Sequence, residues 1–335
     1  MSGRSTVWKQ PEVAQFIRQQ GPNLGFESKA LFEAVTQRFK VDCSFQAFKN
    51  YSGSIKRGGG FSIPVADTPD VSELVLQVPW KTALVTGDYQ IPYHDEEFTR
   101  FAFELGQAWH VEGHVFNADV FDMATMSKFS QQIYGERVQL GAELKMGREI
   151  LQLSKRLHGN VALNTGNHEW RLLVRLLHGE LESDQARELL AGEGIQYTPL
   201  SYLWLGYDAD NAVRITHPRS QSVIAGAVGA DIARNHDCHV IVAHDHLLAQ
   251  RRSHSGRWTV THAGMMANPG KLMYAVTADD RRPRMNQGFT IVHPDSKSGQ
   301  PRIRLIDARN VDRDLEFWTA KRLSLIHISE PTRPY

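Results

Sequence analysis

Cysteine is almost missing from this sequence: 335 residues hold two, Cys43 and Cys238, in unrelated segments. That is too few for a disulfide framework and the wrong spacing for a thiolate metal site, so the chain suits a reducing compartment. Long apolar runs are missing as well. No stretch approaches the roughly 18 consecutive apolar residues of a membrane helix, and Met1 to Gln10 is polar, without the apolar centre of a secretion signal. The expected location is the cytoplasm, in solution, with no membrane contact. Internal repeats and low-complexity tracts are also absent, which excludes the repeat architectures.

Net charge is nearly absent too, at +1 from 38 Lys/Arg and 37 Asp/Glu, but the balance is uneven along the chain. The first sixty residues hold nine Lys/Arg against four Asp/Glu, a surplus of five, and the remainder carries a deficit of four. Such a split suggests a basic module that meets a polyanion, joined to an acidic domain able to hold cations.

What is present is an ordinary globular allotment of 41% apolar residues, enough for one large domain and a small one. Three short helical patterns are expected at Pro11 to Gln19, Ser28 to Phe39 and Ser44 to Arg57, with Ser28 and Ser44 as N-caps and Gly21 and Gly25 separating the first two. The third carries Lys49, Lys56 and Arg57 among Phe45, Phe48 and Tyr51. Residues 1–57 therefore read as a small basic all-α, helix-turn-helix-like module that binds nucleic acid, or as a three-helix cap whose charges are solvated. Gly58-Gly59-Gly60 and the Ser/Pro/Asp-rich residues to 70 read as a linker. Leu323 to Tyr335, LSLIHISEPTRPY, reads as the translation of a sequencing adapter and is excluded from the folding argument, leaving a main domain over 71–322.

In that domain apolar strands alternate with amphipathic helices, so an α/β class is expected. Strands are predicted at Thr82–Val85, His114–Phe116, Val161–Asn164, Ala212–Thr216, Val240–Ala243, Trp258–His262, Phe289–His293 and Arg302–Ile306. Helices are predicted at Glu96–Trp109, at Ser127–Leu157, and in two segments between Trp170 and Leu190. Polar residues concentrate just past the strands. Asp88 follows the first and Asp119 with Asp122 the second, Asn167-His168-Glu169 the third, His217 the fourth, and His244-Asp245-His246 the fifth. One Asp or His after a strand is usually a turn former or a satisfied core residue. Five such ends together would gather buried charge that cations must neutralise. Carboxylate, amide and imidazole donors without thiolate suit Mn²⁺, Fe²⁺, Zn²⁺ or Ni²⁺. A pair of such ions favours phosphoester hydrolysis.

The ordered set Asp88, Ala118-Asp119-Val120-Phe121-Asp122, Gly166-Asn167-His168-Glu169, His217 and His244-Asp245-His246, spread over residues 80–250, resembles the calcineurin-like metallophosphoesterase superfamily. The resemblance implies a β-sandwich flanked by helices and two divalent metal ions, Mn²⁺ foremost, with Fe²⁺, Zn²⁺, Ni²⁺ and Mg²⁺ as the others. It implies that Asp119 bridges the ions, that Asp88 and His246 hold one, and that Asn167, His217 and His244 hold the other. It further implies that His168 is the general acid or the transition-state phosphate contact, oriented through a hydrogen bond from Asp122 that keeps it cationic. Gln90 stands where the family usually has a ligating histidine, so its neutral amide should make the first ion's site looser. His94 either folds back toward that ion or meets substrate or solvent. Ala118 replaces the usual glycine, and Met123 stands where the phosphoprotein phosphatases place an arginine, which argues against that branch. Arg171 either grips phosphate, caps a helix or pairs with Glu169. The expected activity is a phosphodiesterase or nuclease acting on nucleic acid or nucleotides. The alternatives are a small-molecule or cyclic-nucleotide phosphoesterase, and a nucleic-acid-binding protein whose metal site has decayed.

Overall fold

The computed structural model describes residues 11–40, 43–57, 71–127, 138–176, 183–272 and 285–310. The linker expected over 58–70 and the tail expected over 323–335 lie outside the described residues. The chain divides into two compact units, Met1–Pro69 and Asp70–Tyr335.

The first unit contains helices α1 (Pro11–Leu24), α2 (Lys29–Phe39) and α3 (Phe45–Arg57). Ser28 Oγ accepts from Leu31 N at 3.1 Å and Ser44 Oγ from Ala47 N at 3.2 Å, so each hydroxyl satisfies a donor that the helix start leaves over. Val13 and Ile17 on α1 meet Leu31 and Val35 on α2 and Phe48 on α3. That is i, i+4 spacing on two short helices. Helix α1 runs through Gly21 and Pro22 rather than stopping at Gln19. The ring of Phe26 fills the space a side chain at Gly21 would need, and Gly25, at φ +81°, is the residue that turns the chain out of the helix.

The second unit alternates as the pattern predicts. In chain order it forms β1 (Gln77–Val78), β2 (Ala83–Thr86), α4 (Glu96–Ala108), β3 (Gly113–Phe116), α5 (Leu140–His158), β4 (Val161–Asn164), α6 (Asn167–Leu176), α7 (Ser183–Leu190) and β5 (Gln196–Thr198). There follow β6 (Tyr202–Leu205), β7 (Val213–Thr216), α8 (Ala227–His236), β8 (His239–Val242), β9 (Leu248–Arg252), β10 (Thr259–Ala263), β11 (Gly288–Pro294) and β12 (Pro301–Asp307).

The strands make two six-stranded sheets, in orders β1-β6-β7-β8-β10-β9 and β12-β11-β2-β3-β4-β5. In the second sheet β2, β3, β4 and β5 run parallel, and in the first so do β7, β8 and β10. Successive residues of a strand face opposite ways. Val85, Val115 and Ala162 accordingly meet Leu203, Ile215 and Ile241 of the other sheet, while their neighbours Leu84, Phe116 and Leu163 pack against Phe101, Ala102, Leu105 and Leu151 on α4 and α5. On the opposite outer face Val240, Val242 and Val260 cover Ala230 and Ala233 of α8. The layers are helix, sheet, sheet, helix, which matches the expected β-sandwich flanked by helices. Strands buried on both faces read as continuous apolar runs, and that is why ALVT and VALN were visible in the sequence.

Two boundaries in this unit differ from expectation. Helix α5 begins at Leu140, whereas Ser127 closes a short turn after Met123, and residues 128–137 lie outside those described. Helix α6 begins at Asn167, so the GNHE run is its first turn rather than a loop before it. Strands β1, β5, β6 and β9 and helix α8 carried too little periodicity to be read. Among the described residues no helix is long and apolar enough to cross a membrane.

His158, at the end of α5, is buried against Phe103 and His114, and neither ring nitrogen has a hydrogen-bond partner. Burial pushes its pKa down to about 4. The unfolded chain, with an ordinary histidine pKa of about 6.5, therefore binds the proton first as pH falls. Stability linked to this residue is complete above about pH 6.5 and drains away toward pH 4. His158→Phe removes the liability, so its stability advantage over wild type should grow by about 1–2 kcal/mol between pH 7.5 and pH 5 in denaturant unfolding. An advantage that stays constant with pH would show that His158 is not buried neutral.

Candidate metal centre

The loops that leave β2 and β3 stay paired after the strands end. Asp88 N donates to Ala118 O at 3.1 Å, Gln90 N to Asp119 O at 3.0 Å and Ile91 N to Val120 O at 2.9 Å. This continued pairing is reached through left-handed backbone. Of the ten described non-glycine residues with positive φ, seven lie here: Asp88, Gln90, Ala118, Asp119, Met123, His244 and His246. Each costs on the order of 1–2 kcal/mol, and such strain collects where a site must hold its side chains in fixed directions. Ala118, at φ +62°, is therefore more than an added methyl on a glycine position. Below these loops a hydrogen-bond chain ties three strand ends together: Asn164 Nδ2 donates to Asn117 Oδ1 at 3.1 Å, and Asn117 Nδ2 donates to Thr216 O, also at 3.1 Å. The second of these bonds crosses from one sheet to the other, from the end of β3 to the end of β7.

Above that chain the carboxylates of Asp88 and Asp119 are 0% and 1% exposed. His217 Nε2 lies 3.3 Å from Asp88 Oδ1 and 3.1 Å from Asp119 Oδ2, so a single imidazole nitrogen sits between them. His246 Nε2 is 3.2 Å from Asp88 Oδ1 and 3.3 Å from the Gln90 amide nitrogen. His244 completes the group, its ring centroid 4.8 Å from that of His217, while its main-chain N–H donates to Asp88 Oδ2 at 2.9 Å. Burial alone would raise both carboxyl pKa values, but His246 and His217 beside Asp88, and His168 and His217 beside Asp119, outweigh it and hold both groups well below the ordinary range. Burial would likewise lower His217, yet the two aspartates hold it well above its ordinary value, whereas burial keeps His244 lowered.

The second group surrounds the first turn of α6. His168 N donates to Asp119 Oδ1 at 3.0 Å, and His168 Nε2 lies 3.6 Å from Asp119 Oδ2. His168 Nδ1 approaches the main-chain carbonyl of Asp122 at 2.7 Å and the Asp122 carboxylate only at 3.5 Å. A carbonyl can only accept, so Nδ1 carries the hydrogen and Nε2 is left as an acceptor. Burial, only partly offset by Asp119, lowers His168 to about 4, and burial raises Asp122 to about 6. Burial thus favours the neutral ring, and the close partner of Nδ1 is the Asp122 carbonyl rather than the carboxylate that was expected to hold it. Arg171 Nη1 donates to the same carbonyl at 3.0 Å and lies 3.4 Å from His168 Nδ1. It does not pair with Glu169. His94 is buried with Nδ1 unpartnered, and no described contact joins it to the cluster.

Glu169 does a different job, which the sequence reading missed. It is fully buried and accepts from the main-chain N–H groups of Asp119 (3.0 Å), Gly166 (2.9 Å) and Phe121 (3.2 Å), clamping the β3 loop to the start of α6. Burial, reinforced by Asp119, raises its pKa to about 7. Gly166 is required by the same clamp, because a Cβ there would collide with Asp119 Oδ1. Asp245, between the two histidines, points away to His262 Nδ1 on β10 and to Leu247 N. The only signal for either acid was its place inside a motif.

The donor set fits a divalent cation. Ligand atoms of Asp119, His217 and His244 all lie within 4.8 Å of one another. Asn167 Oδ1 is buried with no hydrogen-bond partner, an acceptor whose desolvation is uncompensated by the protein. Asp88, His246 and Gln90 form a neighbouring set through the contacts above. Glu169→Ala would strip one acceptor from three buried N–H groups, so a loss of about 3–5 kcal/mol in unfolding free energy is expected, together with weaker cation binding by titration calorimetry. Glu169→Gln, which keeps one oxygen, should fall between; a neutral Ala variant would remove the clamp from the account.

No protein-family model and no curated protein matches this chain. Solved structures that resemble it include Vacuolar Protein Sorting 29 from Cryptosporidium parvum, at 14% identity over 68% of this chain and 97% of that one, with a TM-score of 0.38. Vps29 from Entamoeba histolytica, solved with Zn²⁺, is 11% identical over 68% of this chain and 98% of that one, with a TM-score of 0.36. YfcE, a phosphoesterase from E. coli, is 13% identical over 68% of this chain and 98% of that one, with a TM-score of 0.33. At that level of likeness the chemistry has to be read from the side chains of this chain.

Proposed function

We propose that this chain is a metal-dependent phosphoesterase that works with two divalent cations and cleaves phosphodiesters. The observation that carries the reading is the convergence of Asp88, Asp119, His217, His244 and His246, from the ends of strands in both sheets, around two buried carboxylates that share one imidazole nitrogen. Asp119, Asn167, His217 and His244 would hold one cation, and Asp88, Gln90 and His246 the other, with Asp119 facing both. When bound, such cations supply Lewis acidity to phosphoryl oxygens and a hydroxide nucleophile near neutral pH. Gln90 is a weaker donor than imidazole, so the second site favours Mn²⁺ or Mg²⁺ over Zn²⁺.

The protein's own residues then have defined work. The Asp122 carbonyl fixes the His168 ring through Nδ1–H, which leaves Nε2 on the Asp119 side as a proton acceptor: it can take the proton of the attacking water, and only once it carries that proton can it donate to the leaving oxygen. Arg171 spends one N–H on that carbonyl and keeps others for a phosphate oxygen. His94 stands apart from these contacts and would act only on substrate.

The nucleic-acid preference belongs to residues 1–57, whose α3 bears Lys49, Lys56 and Arg57. If these meet phosphates, the affinity of the full chain for DNA falls steeply with salt, and Lys49→Glu or Lys56→Glu each flattens the log–log slope by about one. An unchanged slope would leave the module a cap.

Metal-stripped protein given back Mn²⁺, Zn²⁺, Ni²⁺ or Mg²⁺ should recover hydrolysis of bis-nitrophenyl phosphate, best with Mn²⁺. Asp119→Asn and His168→Ala should each lower kcat by about 10²–10⁴-fold. Absence of turnover under every metal, with normal folding, would sink the enzyme reading and favour a binding protein with a remnant site.

A further inference from the structure

Beside the cation ligands a cavity of about 260 Å³ opens, lined by Asn167, Trp170, Ser201, Tyr202, His217 and Arg219 among others. Two of its walls, Asn167 and His217, belong to the metal cluster, and the rest have no part in the reaction described above. Trp170 is 37% exposed, a large apolar ring left in solvent three residues after Asn167 on α6. Residues at i and i+3 share a helix face, so whatever Asn167 faces, Trp170 flanks. Arg219, two residues after His217, holds its guanidinium carbon 5.5 Å from the Trp170 ring centroid. It is exposed, and no acidic partner is recorded for it among the described residues. Ser201 and Tyr202 also line the cavity; neither hydroxyl has a hydrogen-bond partner among the described residues, and the Arg214 guanidinium covers the Tyr202 ring at 3.7 Å.

An exposed indole, a guanidinium beside its ring with no acidic partner among the described residues, and two hydroxyls line a cavity next to the candidate cation ligands. A planar group can stack on the indole, a phosphate oxygen can meet the arginine, and the hydroxyls can read a polar ring edge. A phenyl phosphate would use only the first two of these, whereas a nucleotide, with a polar base edge as well as a plane and a phosphate, uses all three. We propose that Trp170, Arg219, Ser201 and Tyr202 form a base-binding subsite, which makes the substrate of this centre a nucleotide or single-stranded nucleic acid ester. This inference depends on the phosphoesterase reading for its purpose but not for its detection, because base stacking can be measured without turnover.

The test is calorimetric binding of adenosine 5′-monophosphate and of ribose 5-phosphate to the full chain, with EDTA and again with Mn²⁺. AMP should bind tighter than the base-free sugar phosphate by roughly 5- to 100-fold, the range that stacking of one base supplies. Trp170→Ala should erase the preference, and Trp170→Phe should restore part of it. Arg219→Ala should weaken both ligands. Equal affinity for the two ligands, undetectable AMP binding, or a preference that survives in Trp170→Ala would overturn the proposal. Hydrolysis of bis-nitrophenyl phosphate is scored separately: a base preference without metal-dependent turnover sinks the enzyme reading alone, and turnover without a base preference sinks this subsite alone.

Discussion

Two carboxylates, Asp88 and Asp119, are buried almost completely and face the same imidazole nitrogen. Removing two like charges from water and setting them side by side is among the costliest things a fold can do, and it survives only if positive charge is brought to the same spot. The surrounding structure is arranged to meet that demand. His217 and His246 are held in range from the other sheet, and main-chain N–H groups of His168 and His244 are spent on the same carboxylates. Seven residues accept left-handed backbone so that the loops can carry this load.

The sandwich matters because of where it puts strand ends. Parallel strands β2, β3 and β4 deliver Asp88, Asp119 and the α6 turn at one edge of their sheet, and parallel β7 and β8 deliver His217 and the His244–His246 segment from the other. Covering helices on the outer faces leave β2, β3, β4 and β8 buried on both sides, which gives their ends a rigid base. The Asn164–Asn117–Thr216 chain then locks the two edges together immediately under the site.

Much of this was legible in the sequence, for physical reasons. Doubly buried strands such as VALN leave continuous apolar runs, and their ends could be read to within a residue. Most of the ligand candidates proved to be gathered: Asp88, Gln90, Asp119, His217, His244 and His246 all lie in one cluster. The parts that escaped have weak local patterns. Edge strand β9, LAQRR, is polar and partly exposed, so it alternates with nothing. Glu169 acts on backbone N–H groups fifty residues away, and Asn117 bridges two sheets, relations that no local spacing records. The partner of His168 also escaped, because the sequence shows an aspartate nearby but not that its carbonyl, rather than its carboxylate, makes the close contact.

The ligands come from both sheets, and Asp88 meets His246 across 158 residues of chain. A partly folded chain with only one sheet formed has half a chelate and no grip on a cation. A cation that binds these residues would therefore be held only by the completed sandwich, and would stabilise it by mass action on the native state. The chelate is thus a property of the whole domain: neither sheet alone brings Asp88 and His246 together.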